Sequence, residues 1–297
     1  MKNTSGNARV TEIQNGMGGI RRLTYANAAV QPNTTGVPAQ WVVATSTEII
    51  GSLTMVTNYT YSGGLYDTDE KRFIGFSKVT RTDPCVGTVC PRTTVYFDTD
   101  YTGARPIRID RFDATGNKLL ASTTLRYSLK NTLPYDSKLI EKWDYAYHSA
   151  STAARRTAAE YTYNGNGDLA SVLEYGDSAT PLRLRVTDYT VMNAASFISQ
   201  PSRTALYEGG AQTEAAKLEE TLNSYDAVGK LTKKDVWVNP MPVGATTNWV
   251  STTYSYDLQN RLIQIVAPLN RLTKFTYETE LELFIASTTN ARNHVDL

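Results

Sequence analysis

The two cysteines, Cys85 and Cys90, are the residues whose type and spacing most directly suggest chemistry. They bracket a short turn that contains Gly87, and in a hairpin two such side chains can face one another at bonding distance. A metal site needs more ligands than this pair supplies, and the histidines, His148 and His294, are remote from it in the sequence. The spacing therefore favours a disulfide, or two idle thiols, over a metal site.

A second segment, residues 98–103, is similar in sequence to the first half of a calcium-binding loop. Oxygen-bearing side chains alternate from Asp98 onward and Gly103 follows them. The position that supplies the bidentate glutamate of such a loop is occupied here by Ile109, so the strongest ligand is missing. The segment is predicted to be a polar β-turn without a metal.

Enzyme chemistry requires a positioned base, a nucleophile or a paired acid. Neither histidine lies in a recognisable catalytic context, and the neighbouring Glu219 and Glu220 cannot be given an acid–base role without geometry. A hydrolase that uses two carboxylates remains an alternative function, because the sequence does not give the distance between the two groups. The glycine-rich segments at 15–19 and 209–210 lack the lysine of a phosphate-binding loop and are interpreted as turns. The sequence predicts no catalytic residue, no cofactor and a non-enzymatic role.

The charge and hydropathy of the chain argue against several classes of protein. Lys and Arg number 30 against 29 Asp and Glu, a net charge of +1, so nothing indicates a nucleic-acid partner. The longest apolar runs, 41–44 and 283–286, are far shorter than the roughly 20 residues that span a bilayer. The first nine residues contain no apolar signal-peptide region. Export directed by a signal outside this stretch stays open.

The elements that must position these residues are β-strands. Tyr is the most abundant aromatic residue, at 19, and short alternating runs with turn residues between them recur along the chain. Two segments, 151–159 and 211–222, have helix-favouring compositions. The second also alternates at Leu218, Glu220 and Leu222, and a regular β context can override a weak helical preference.

A short repeat supports the β interpretation. The pattern is Tyr, then Asp or Asn, two free positions, Gly or Asn, one free position, and Leu. Asp or Asn starts the turn, Gly or Asn takes a positive φ, and the flanking Tyr and Leu lie on the two arms of a hairpin. The residues that carry the pattern are Tyr163, Asn164, Gly167 and Leu169, then Tyr225, Asp226, Gly229 and Leu231, then Tyr256, Asp257, Asn260 and Leu262. A looser copy contains Phe112, Asp113 and Gly116, with one extra residue before its Leu.

These turns, followed by a half-repeat of the form Thr-x-Phe-x-Tyr at 273–277, resemble the YD repeat of Rhs proteins, insecticidal Tc-toxin B components and teneurins. The similarity is best over 223–278. Residues 10–19, 41–43, 59–67, 72–76 and 82–83 resemble the head of the Rhs or Tc-B shell. The resemblance implies two parts, with 1–100 similar to that head and 101–297 made of degenerate YD repeats continuous with it.

The resemblance also implies an all-β fold, an antiparallel hairpin strip forming the curved wall of a larger hollow shell. The implied role is a structural, non-enzymatic one: to enclose or present a toxic effector. Expected partners are the remainder of a larger polypeptide, its C-terminal effector domain, and a secretion or toxin-complex partner. The expected location is outside the cell or at its surface. The last residues look like the start of another repeat, so we expect an interrupted chain.

The competing function is cell-surface adhesion or carbohydrate binding. Tyrosines two residues apart, such as Tyr254 and Tyr256, lie on one strand face and can stack on sugars. Equally, they can make the cross-strand aromatic contacts that hold a sheet together. The sequence favours the structural interpretation.

Overall fold

The computed structural model describes residues 9–85, 87–100, 103–115, 118–130, 136–147, 153–193, 198–241, 246–279 and 283–296. These residues form two compact units, 1–159 and 160–297. This division differs from the sequence-based boundary near residue 100, which separates a head segment from the repeats and stays a prediction.

The first unit is a meander of antiparallel strands in which each strand pairs with the next one in the sequence. Its strands are β1 (Glu12–Gln14), β2 (Ile20–Asn27), β3 (Trp41–Ile50), β4 (Leu53–Asp67), β5 (Arg72–Thr82), β6 (Arg92–Asp100), β7 (Gly103–Phe112), β8 (Leu119–Lys130), β9 (Asp136–Tyr147) and the first part of β10 (Ala153–Tyr163).

The second unit continues the same pattern from the end of β10. Its strands are β11 (Leu169–Tyr175), β12 (Pro181–Asn193), β13 (Ile198–Glu208), β14 (Lys217–Tyr225), β15 (Leu231–Trp237), β16 (Trp249–Tyr256), β17 (Leu262–Ala267), β18 (Arg271–Tyr277), β19 (Ile285–Thr289) and β20 (Val295–Asp296). The predicted all-β fold of antiparallel hairpins is confirmed.

Helix is confined, in the described part of the chain, to three single 3-10 turns: Ala28–Val30, Glu214–Ala216 and Pro268–Asn270. The alanine-rich segment after residue 152 forms β10 despite its composition, and Lys217 already begins β14. Ladder hydrogen bonds and packing on both sides thus outweigh propensities worth only tenths of a kcal/mol per residue. None of the described helices has the length and apolar character needed to cross a bilayer.

Each unit has a small apolar core on its sheet. In the first unit Ala28, Val37 and Phe76 are buried together, and Tyr61 and Phe73 pack against them. In the second unit the buried cluster consists of Leu184, Val186, Ala205 and Tyr207. Most other strand residues are only half-buried, because a meander has two faces and these small clusters cover only part of them.

The first unit also contains a buried polar site. Asp110 on β7 is fully buried. Its carboxylate accepts hydrogen bonds from the Ser122 hydroxyl at 2.7 Å and from Arg108 Nε at 2.9 Å. A buried carboxylate is tolerated only when it is paired in this way, so this site fixes the register of β7 against β8.

Candidate functional site

The three predicted repeat turns share one geometry. In each, the Asp or Asn side chain accepts backbone N–H groups further along the turn: Asp226 Oδ1 accepts from Val228 at 3.0 Å and from Lys230 at 2.9 Å. Asn164 accepts from the equivalent residues, two and four positions on, at 2.9 and 3.0 Å. Asp257 Oδ1 accepts from Arg261 N at 2.8 Å. The Asp or Asn of the motif, its second residue, therefore closes the loop through its own side chain.

The residue three positions after the Asp or Asn has a left-handed backbone in all three turns. Gly167 and Gly229 have φ of 93° and 88°, and Asn260 has φ of 69°. Gly adopts this region without cost and Asn is the most tolerant of the other residues. The need for a positive φ therefore explains why this motif position is either Gly or Asn.

Two of the motif tyrosines, and the tyrosine of the half-repeat at 273–277, each connect one strand to a residue of an earlier hairpin. Tyr256 donates its hydroxyl hydrogen bond to the carbonyl oxygen of Leu231 at 2.9 Å. Tyr225 does the same to Pro201 at 2.9 Å, and Tyr277 to Leu262 at 2.9 Å. Leu231 and Leu262 are themselves motif positions. We call this contact the tyrosine latch, because it joins successive hairpins through side chains as well as through the strand ladder.

A cation beside the motif leucine reinforces two of these latches. Lys230 Nζ lies 4.8 Å from the ring centroid of Tyr256 and donates to Asn260 Oδ1 at 2.6 Å. Arg261 Cζ lies 4.7 Å from the ring centroid of Tyr277. Cation–π contacts at such half-exposed sites are worth about 0.5–1 kcal/mol. The position was a free one in the sequence motif, so sequence analysis missed its role.

The looser copy closes a longer loop. Asp113 N donates to the carbonyl of Lys118 at 2.9 Å, and Lys118 N donates to Asp113 Oδ1 at 3.3 Å. Phe112 is the last residue of β7, and Arg92 Cζ lies 4.4 Å from its ring centroid. Gly116 lies outside the described residues.

Two further turns adopt the same geometry. Asn15 Oδ1 accepts from Met17 N at 3.0 Å and from Gly19 N at 2.7 Å. Asn290 Oδ1 accepts from Arg292 N at 2.9 Å and from His294 N at 3.1 Å. The sequence identified the first only as a turn, because the flanking Tyr and Leu are absent there. A simpler sequence pattern would have found both turns: an Asn or Asp that is followed three residues later by Gly or Asn.

Cys85 and Cys90 lie in the loop between β5 and β6 and are joined by a disulfide, with Cα atoms 4.1 Å apart. Asp83 N donates to the carbonyl of Pro91 at 2.8 Å and closes the same loop at its base. Asp98, in the calcium-like segment, pairs instead with Arg105 at 3.3 Å. Among the described residues, no group of three or more His, Cys, Asp and Glu side chains is arranged to hold a metal.

A buried charge cluster on β13 and β14 was not predicted. Lys217 Nζ lies 2.9 Å from Glu220 Oε2 and 2.7 Å from Glu214 Oε2, and Arg203 Nε lies 2.5 Å from Glu220 Oε1. Lys217 Nζ is also 4.8 Å from the ring centroid of Trp237. The Lys217 and Glu220 side chains are 4% and 9% exposed. We call these residues the lysine cluster.

Hydrogen bonding controls the protonation of the lysine cluster. Burial by itself would raise the pKa of Glu220, but hydrogen bonds from Lys217 and Arg203 outweigh it and hold the pKa below its ordinary value. Burial would lower the pKa of Lys217, yet its bonds to Glu214 and Glu220 raise it. The side chains of the lysine cluster therefore stay charged, and the ion pair of Arg203 with Glu220 joins β13 to β14. This role is structural.

Comparison with known proteins gives one family match and several structural matches. Residues 4–106 match the family model described as the insecticide toxin TcdB middle/N-terminal region. The chain resembles the shell segments of Tc-toxin B components. No curated protein matches the sequence.

Solved structures with the same fold cover almost the whole chain. A crystal structure of TcdB2-TccC3 without its hypervariable C-terminal region matches 96% of this chain with 12% identity and a TM-score of 0.58. A Tc holotoxin pore from Photorhabdus luminescens matches 95% of it with 11% identity and a TM-score of 0.59. The chain spans 23% of the length of each of these proteins. At such identity the likeness establishes the fold.

Proposed function

We propose that this chain is a structural wall segment of a Tc-toxin-like or Rhs-like shell, and that the shell encloses or presents a toxic effector. The observation that carries the proposal is the fold match to TcdB2-TccC3 over 96% of the chain, together with the family match over 4–106. The segment acts with the remainder of a larger polypeptide, outside the cell or at its surface.

The tyrosine latches suit a wall. A sheet with two half-exposed faces has little apolar core to stabilise it. Its exposed strand edges can also pair with other chains unless they are covered or charged. Side-chain bonds such as Tyr256 to Leu231 and Lys230 to Asn260 tie neighbouring hairpins to each other without a second layer. The proposed mechanism is therefore physical isolation of an effector, with no catalytic step by this chain.

The repeated use of tyrosine hydroxyls within the chain bears on the competing sugar-binding function. The hydroxyls of Tyr225, Tyr256 and Tyr277 donate to backbone carbonyls within the unit. These three hydroxyls therefore have a role within the fold, which supports the shell function over sugar binding.

The test is a chimaera in which this chain replaces the structurally matching segment of TcdB2 in the TcdB2-TccC3 protein. We expect the chimaera to form a closed shell by electron microscopy and to protect the effector region from trypsin. A matched control replaces the same segment with a flexible Gly-Ser linker of equal length and should lose protection. A well-folded chimaera whose effector is digested as fast as in the linker control would refute the wall function.

A further inference from the structure

Asparagine followed by glycine is a dipeptide prone to lose its side-chain amide, because glycine has no side chain to hinder attack by its own backbone nitrogen. The sequence contains three such pairs, which begin at Asn15, Asn164 and Asn166. The first lies in the turn between β1 and β2, and the other two lie in the turn between β10 and β11. The surroundings of the three amides differ, so the structure ranks their reactivity.

Asn166 is protected at the attacking atom. The backbone nitrogen that would attack its side chain belongs to Gly167, and this N–H donates to the carbonyl oxygen of Asn164 at 3.1 Å. The bond closes the turn, and Gly167 holds the left-handed φ of 93° that the turn requires. The nitrogen therefore reaches the Asn166 amide only after the turn has opened.

Asn164 is protected at the leaving group. Its Nδ2 donates to Asp168 Oδ2 at 3.0 Å, and the same carboxylate oxygen accepts from the Ser199 hydroxyl on β13 at 2.6 Å. A hydrogen bond to a charged group is among the stronger ones in proteins. The nearby carboxylate also disfavours the negative charge that develops on an attacked amide. The half-buried amide of Asn164 is therefore held in place.

Asn15 has neither protection. In the described part of the chain, no group accepts a hydrogen bond from the Gly16 N–H or from Asn15 Nδ2. Both residues are exposed, and β1 before them is only three residues long, so this turn opens at little cost. Asn15 Oδ1 accepts from the backbone N–H groups of Met17 and Gly19, and such donors stabilise the charge that forms on the oxygen during attack.

We propose that Asn15 is a site of spontaneous deamidation, through attack of the Gly16 backbone nitrogen on Asn15 Cγ. The nitrogen loses its proton to hydroxide and bonds to Cγ, the Cγ–Nδ2 bond breaks, and Nδ2 takes a proton from water and leaves as ammonia. Water then opens the cyclic imide at either of its two carbonyl carbons. The net reaction exchanges ammonia for water, and it is independent of the proposed wall function.

The two products differ in their effect on the turn. Aspartate preserves it, because Asp226 and Asp257 close their own turns with a carboxylate oxygen in this position. Isoaspartate lengthens the backbone by one atom, and the former side-chain oxygen becomes part of that backbone. It no longer closes the turn, so we expect isoaspartate to disrupt the hairpin of β1 and β2.

The experiment incubates the full chain at neutral and at mildly alkaline pH and follows the three sites by peptide mass spectrometry. In the folded chain we expect Asn15 to convert about tenfold faster than Asn164, the factor that corresponds to one hydrogen bond to a charged group. Asn166 should also convert more slowly than Asn15. The rate at Asn15 should rise with pH, because hydroxide deprotonates the attacking nitrogen. In urea, where the turns are lost, the three rates should converge.

Two variants separate the causes, and both should keep the parent's circular dichroism. Gly16→Ala should slow conversion of Asn15 because the added methyl group hinders attack, and a Cβ built at Gly16 meets no atom within 4 Å. Asp168→Ala should speed conversion of Asn164, because it removes the acceptor of that amide.

Conversion of Asn164 or Asn166 as fast as that of Asn15 in the folded chain would overturn the proposal. An unchanged ranking in urea would do the same, because the folded structure would then not be its cause. An Asn15 that stays intact in the folded chain while it converts in urea would also overturn it.

Discussion

The Tyr256 hydroxyl donates to the carbonyl oxygen of Leu231, 25 residues earlier in the chain and one hairpin back, at 2.9 Å. Both residues are repeat-motif positions. In this pair the motif tyrosine of one hairpin therefore bonds to the backbone of the motif leucine of the preceding hairpin, so a contact between two copies adds to the turn within each copy.

Removing one latch should destabilise the second unit. Tyr256→Phe keeps the ring and its contact with Lys230 but deletes the donor, so the half-buried carbonyl of Leu231 loses its partner. We expect a loss of about 1 kcal/mol in the free energy of unfolding, measured by urea denaturation. Tyr254→Phe, two residues earlier on the same strand, is the control and should cost less. Equal losses for the two variants would argue against the latch.

The turn position of Gly229 tests the conformational explanation of the motif. Its φ is 88°, and a Cβ built there meets only Met192 Cε, at 3.9 Å. Space is therefore available and the backbone is the constraint. We expect Gly229→Val to cost about 1–2 kcal/mol. Gly229→Asn should cost clearly less, because Asn260 and Asn293 occupy the same position with φ of 69° and 60°. If Gly229→Asn and Gly229→Val lower the free energy of unfolding by the same amount, the positive φ at this position is not what restricts the residue.

The lysine cluster should make stability depend on pH at both extremes. The pKa of Glu220 is lowered from 4.5, so its contribution is complete above about pH 4.5 and is lost as pH falls through the lowered value. The pKa of Lys217 is raised from 10.5, so its contribution is complete below about pH 10.5 and is lost as pH rises further. Urea midpoints measured across pH should show a plateau between these limits.

Glu220→Gln should flatten the acid limb of that profile and lower the plateau. The substitution leaves Lys217 and Arg203 without their shared carboxylate, and breaking a buried pair in this way costs about 3 kcal/mol. Glu219→Gln is the matched control, because Glu219 is exposed on the same strand. A Glu219 variant with the larger loss would contradict the assignment of the cluster.

The disulfide should add modest stability. By the chain-entropy estimate, a loop as short as that between Cys85 and Cys90 contributes about 2 kcal/mol. The double variant Cys85→Ser with Cys90→Ser should lose that amount, and the parent chain in reducing agent should match it. Thiol alkylation followed by mass spectrometry tests the bond itself: labelling of both cysteines in the unreduced chain would show that it does not form.

Much of the fold follows from local signals. Asp226, Gly229 and their counterparts specify turns through interactions within five residues, which is why the sequence predicts where these hairpins reverse. The alanine-rich start of β10 shows the limit of such reasoning, since its composition favours helix and its neighbours make it a strand. The domain division, the effector and the carbohydrate alternative stay predictions or proposals.

What the sequence by itself determined is the strand-and-turn pattern, because alternation, Asx side chains and left-handed Gly or Asn act over a few residues. The contacts between different strands became visible only in the tertiary structure: Tyr256 with Leu231, Arg203 with Glu220, and Lys217 with Trp237. Strand register and bulges set these meetings, and a shift of one residue would turn every side chain to the other face.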